Sequence, residues 1–327
     1  MLLGLIILTL VLAVLPLVSA LMVWLTGKEA APLALSEDGY RPDYLARRFA
    51  AKFGAIGTGL ALAGEGVLHH PLESGEDVLV VPATRGHPAT LDPVDPDKGR
   101  VVLAQGGLFV PANTRWLREI WARGDLVAGS GGLYRALLAD GDMRLGVATT
   151  VLRWSHAERH LEAGADCRLF GHTSAGEIIR IGSGCAFEFL IAPWIVAGDV
   201  PDTPPERWIR QSGGGRGRRA DMIAKSSLLL PAGTHCRGSV KAHKRLVLGR
   251  DTVVEGAVVC RGDVVIGPGC RIKGPVVADG LLTVAPGCLI GDPDVQASVT
   301  AHRIEIHAGV TVCGSVQARD SGHVVAE

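Results

Sequence analysis

Seven cysteines and eleven histidines are the side chains of this sequence that most directly offer chemistry. A thiolate serves as a nucleophile or soft metal ligand and an imidazole as a base or ligand, so their spacing decides which role is open. Cys167 and Cys185 lie 18 residues apart, as do Cys270 and Cys288, and the sequence holds no CxxC element. His156, His160, His172, His235, His243 and His307 come without an acidic neighbour at a spacing that defines a base, and no three form a metal triad. A P-loop, a dinucleotide fingerprint and a GxSxG turn are absent as well. The sequence therefore predicts no catalytic residue, no cofactor and no metal. A net charge of +0 with a pI near 7.2 also disfavours nucleic acid as a partner.

The elements that position these residues follow from a six-residue period. Stepping by six from Val127 gives Leu133, Ala139, Leu145, Val151, Ala157, Ala163, Leu169, Ala175, Ile181 and Phe187, without a polar member. A second block runs Leu230, Cys236, Ala242, Leu248, Val254, Cys260, Ile266, Ile272, Ala278, Val284 and Ile290. The pattern predicts an all-β, three-faced β-solenoid of about 18 residues per coil, with inward side chains stacked at about 4.8 Å. About ten coils are expected, in an N-terminal set over 104–192 and a C-terminal set over 230–320. Gly238, Gly256 and Gly274 share one corner, where glycine suits a tight turn. Six cysteines fall on inward positions, Cys313 being the exception, and the six histidines fall outward. The 18-residue cysteine spacing is then explained by stacking, without a bridge or a metal. Residues 193–229, with GGGRGRR, form an inserted polar loop.

The N-terminus supplies a different signal. From Leu2 to Thr26 no residue is charged, a run long enough for a transmembrane helix over 1–27, with Trp24 as interfacial anchor. A cleaved signal peptide ending at Val18-Ser19-Ala20 is the alternative, although the basic n-region is missing. Lys28, Arg41, Arg47, Arg48 and Lys52 all follow the span, which predicts a single pass with the body in the cytoplasm. Within 28–103, Leu45, Phe49 and Phe53 recur at helical spacing. That helix either lies on the lipid surface, with Arg47, Arg48 and Lys52 as membrane contacts, or packs on the body. The rest of 57–103 gives no clear element.

The phrase G-x-V-x-A recurs in GSVKA ending at Ala242, GPVVA ending at Ala278 and GSVQA ending at Ala318. With these phrases, residues 230–320 resemble the bactofilins, and 104–192 do so more loosely. The resemblance implies a right-handed β-helix that polymerises end to end without nucleotide at the bacterial cytoplasmic (inner) membrane. It also implies partners among envelope-building or morphogenetic proteins. The chain departs from that family in its length, its anchor, its extra coils and its loop. Hexapeptide-repeat acyltransferases share the 18-residue coil, so an acyltransferase and a non-polymerising adaptor stand as alternatives. A last coil without a cap exposes unpaired backbone groups. Self-association is therefore expected through Ile304, Ile306, Val310, Val312 and Val316, stopping at a dimer if residues 57–103 cover the other end.

Overall fold

The computed structural model describes residues 43–60, 68–71, 77–84, 86–91, 99–198 and 221–325. The chain divides into two units at Tyr44, and every described strand belongs to the second, Leu45–Glu327. The apolar run over 1–27, with Trp24 and Lys28, lies outside the described residues. Among those described, no helix is long and apolar enough to cross a membrane.

The second unit is all-β, a solenoid of about 12 turns with about 18 residues per coil. It is built as two stacks. In the first, Arg115–Ala122, Leu133–Ala139, Thr150–Ala157, Arg168–Ala175 and Ala186–Ala197 pair in parallel. These strands bend midway, as between Val151 and Trp154, so that one strand supplies two faces of the coil. The third face comes from Leu126–Ala128, Met143–Leu145, His160–Ala163 and Ile178–Ile181. In the second stack the strands as far as Ile290 are shorter, and Met222, Val240, Val258 and Val276 pair in succession, each 18 residues on. An insertion around Asp292–Val295 then lengthens the step, setting Leu282 beside Ile304.

All eleven inward positions of the second block, Leu230 to Ile290, are buried. In the first block the series is buried from Ala139 to Phe187, but Val127 and Leu133 are not in the interior; Ala128 and Tyr134 are. The cause is a coil of 17 residues, in which Leu133 pairs with Thr150, so the register slips between Tyr134 and Ala139. Tyr134 fills the lumen so closely that a Cβ on Gly132 would lie 2.4 Å from its ring. Gly256 and Gly274 do not have positive φ; each leaves room for the coil beneath, since a Cβ would approach its backbone to 2.5 and 2.6 Å. The left-handed corner is a different column, where Asn113, Gly131, Ala148, Asp166 and Gly184 follow one another at φ of 57° to 75°.

The boundaries expected from sequence move at three places. Solenoid pairing begins at Asp77–Val81, which pairs with Val101–Ala104, and not at residue 104. The first stack runs on to Ala197 and the second resumes at Met222, which shortens the expected loop. The final strand reaches Val325. The helix over Tyr44–Leu60 (α1) packs on the body. Ala46, Phe49 and Phe53 meet Val80, Leu103, Trp121, Leu138 and Trp154 in a second apolar core outside the lumen. Phe49 lies edge-on to Trp121 with centroids 6.1 Å apart, and 5.8 Å from the ring of Trp154.

Candidate functional site

The two stacks meet at their C-terminal ends. Ala186–Ala197 pairs antiparallel with Thr311–Val325, setting Leu190 opposite Val316 and Ile195 opposite Val312. The joint continues at both margins. Val324 N–H donates to Cys185 O at 2.9 Å, and Gly309 N–H donates to Ala197 O at 2.8 Å. Phe187 lies over Gly322, where a Cβ would come within 2.2 Å of its ring. The expected open edge at Val310, Val312 and Val316 is thus closed within the chain. Ile304 and Ile306 are covered in turn by Gly322 and Val324 of the final strand, and all five side chains are buried. Sequence reasoning missed this because antiparallel pairing between segments more than a hundred residues apart leaves no periodic trace. At the other end of the first stack, Leu68–Pro71 pairs antiparallel with Asp77–Val81 and covers the outer edge of that strand.

A cleft of about 530 Å³ runs between α1 and the bent strands. It is lined by Leu45, Arg48 and Lys52 from the helix and by Leu152, Arg153 and Phe170 from the solenoid. Arg47 is also exposed, so the three basic residues expected at a membrane stay on the surface while the helix buries its other side. At the cleft's far margin His172 meets Phe189 edge-on with centroids 4.8 Å apart. Burial lowers the pKa of His172, against the opposing charge of Glu188.

The polar groups are arranged in columns. His160 Nδ1 lies 2.9 Å from Asp142 and its Nε2 3.0 Å from Glu177, while Arg159 spans Asp125 and Asp142 at 3.2 Å each. His235 lies 3.0 Å from Glu255. The expectation that these histidines lack acidic partners is corrected: a coil of 17 or 18 residues brings the acids alongside, which a search for local motifs misses. These are exposed ladders of polar and charged contacts, which contribute little individually. His156 does point outward from the lumen, but it is buried, with Nδ1 2.8 Å from Ser174 Oγ and Nε2 3.6 Å from Glu158. A serine, a histidine and an acid therefore stand together. Ser174 is itself buried and does not line the cleft beside α1, so the contact is column stacking in the manner of Ser155 Oγ donating to Thr173 at 3.1 Å.

All seven cysteines are buried free thiols, Cys313 included. Cys167 donates to Gly146 O at 3.2 Å and Cys185 to Gly164 O at 3.0 Å. Cys270 and Cys288 repeat this toward Gly249 and Gly267 at 3.1 Å each. Hydrogen bonding to the preceding thiol, and then burial, pushes Cys185 and Cys288 up, and burial pushes Cys313 up to about 12. The same hydrogen bond lowers the partners Cys167 and Cys270, the latter to about 7, but all seven thiols are buried and pack the interior. Among the described residues no group of three His, Cys, Asp or Glu side chains is placed to hold a metal ion.

An offset of 103 residues lays the two stacks on one another, matching Leu145-Gly146, Thr149, Cys167 and Cys185 with Leu248-Gly249, Thr252, Cys270 and Cys288. The class defined here is a tandem β-solenoid whose two stacks meet end to end inside one chain and whose first stack carries a helix on its outer side. Compared with known proteins, the chain matches no family model, no curated protein and no solved structure.

Proposed function

We propose that this chain is a non-enzymatic scaffold of the bactofilin-like kind, tethered to the bacterial cytoplasmic membrane by residues 1–27 with its body in the cytoplasm. It assembles through solenoid ends and holds envelope-building or morphogenetic proteins in place. The observation that supports this most is the joint between Ala186–Ala197 and Thr311–Val325, an end-to-end association made by backbone pairing. Strand pairing of this type is made by backbone groups and is available wherever a coil edge is open and not blocked by charge.

With the C-terminal ends joined, the end that serves a second copy is the first coil of the second stack. Met222–Ala224 and Leu228–Leu230 pair only with the coil that follows, among the described residues. Ile223 and Leu229 are each 67% exposed there. The test is sedimentation and negative-stain microscopy of the full chain in detergent. Oligomers or filaments are expected, and Ile223→Lys with Leu229→Lys should reduce them to monomers, because edge charges block strand addition. A parent chain that stays monomeric at high micromolar concentration refutes the scaffold reading.

A further inference from the structure

The bent strands of the first stack turn a distinctive edge to solvent. At the bend, Leu117, Leu152 and Phe170 are 52%, 40% and 36% exposed, although they lie on strands whose inward residues are buried. The same edge carries Arg115, Arg118, Arg135, Arg153 and Arg168. Its two acids are already engaged. Glu119 pairs with Arg135 at 3.3 Å, and Glu188 accepts the Gly171 N–H at 2.8 Å. α1 adds Leu45, Arg48 and Lys52, one face of the helix, to the cleft that Leu152, Arg153 and Phe170 line. The next corner around the coil is acidic on balance, with Asp125, Asp140, Asp142, Glu158 and Glu177 against Arg123 and Arg159, the last of which spans Asp125 and Asp142. A net charge of +0 therefore hides a first stack that is basic at one corner and acidic at the next.

Leucine and phenylalanine set among arginines match the boundary of an anionic bilayer, where rings enter the acyl region and guanidinium groups meet phosphates. A nucleic acid would use the charge but leave the aliphatic side chains without a role. We propose that this corner, together with the Leu45, Arg48 and Lys52 face of α1, lies on the surface of an anionic lipid leaflet and fixes which side of the solenoid faces the membrane. The inference rests on the proposed tether, since the uncharged run ending at Thr26 precedes Tyr44 by only 18 positions and keeps the helix within reach of a lipid surface.

The test uses the full chain in lipid nanodiscs, neutral or containing anionic lipid, with an environment-sensitive fluorophore on Phe170→Cys or, on the third face away from the basic corner, on Glu162→Cys. The native thiols are buried, so the label goes to the new one. In anionic discs a blue shift is expected at position 170 and none at 162, and Arg153→Glu with Arg168→Glu should abolish it while the chain stays in the disc. Equal signals at both positions, or a shift at 170 that ignores lipid charge, overturn the proposal. A chain that the discs do not retain refutes the tether, and cosedimentation with anionic vesicles then tests the corner alone. Binding that falls about fivefold for each arginine neutralised, and weakens with salt, sustains it. Absence of such binding overturns it.

Discussion

Thr149, Cys167 and Cys185 in the first stack and Thr252, Cys270 and Cys288 in the second fill the same places in the lumen, yet the outer sides of the two stacks have little in common. On the second face of the first stack the outward residues include Ala136, Leu138 and Trp154, all buried beneath α1 or its neighbours. At the same offset the second stack has Ser239, Lys241 and Ala257, none of them buried. Inward residues must match the coil above and below, so both stacks keep them small or aliphatic. Outward residues answer only to whatever covers them. A sheet face with apolar residues on both sides needs a cover, and the first stack has one in α1.

Three measurements test how far this comparison holds. The largest effect is expected in the lumen, where the stacks agree: Leu169→Asp and Ile272→Asp, equivalent across the offset, should each cost at least about 4 kcal/mol by burying an unpaired charge. Hydrogen exchange should show opening in the stack that carries the change, and equal damage in the two is the signature of a shared interior. A variant of either kind that exchanges like the parent contradicts the inward register. Next comes the outer side, where the stacks differ. Trp154→Ala should cost about 3 to 4 kcal/mol and loosen α1, whereas Ala257→Ser at the equivalent position should stay within about 0.5 kcal/mol. Comparable losses in chemical denaturation would mean that the second stack also has a covered face.

The smallest effect concerns the left-handed corner. Ala148 has a φ of 57° and its equivalent Asp251 a φ of 55°. Alanine is disfavoured there by about 1–2 kcal/mol, part of which glycine gives back through its freer unfolded chain. Ala148→Gly should stabilise the first stack by about 0.5 kcal/mol in urea unfolding, and Asp251→Gly should gain less, because a short acidic side chain already tolerates this conformation. A loss at Ala148 would place the strain elsewhere.

The second stack was legible as far as Ile290, because its coils keep a constant length up to there and every sixth residue from Leu230 to Ile290 is buried. The first was legible from Ala139 onward and off by one residue at Val127 and Leu133, since the 17-residue coil at Tyr134 breaks a strict count of six. The helix over Tyr44–Leu60 was legible as amphipathic, but both a lipid surface and a protein surface satisfy that pattern. The acid partners of His160 were present all along at a distance of one coil, and so was the match between the two stacks at an offset of 103 residues; the first emerges when the sequence is compared with itself at coil length, the second only at the length of a whole stack.

What the sequence alone determined is the coil: its period, its inward residues, the buried cysteines and the break between two blocks. Those are local and repetitive properties, and each inward residue meets the same environment one coil later, so the pattern accumulates until it is unmistakable. Tertiary structure decided what each stack does with its surfaces. The joining of Ala186–Ala197 to Thr311–Val325, the cover of Trp121 and Trp154 by α1, and the basic corner at Arg153 and Arg168 each bring together segments from different coils or distant parts of the chain. Such contacts occur once and not in every coil, and their energy depends on geometry between segments rather than on spacing within one.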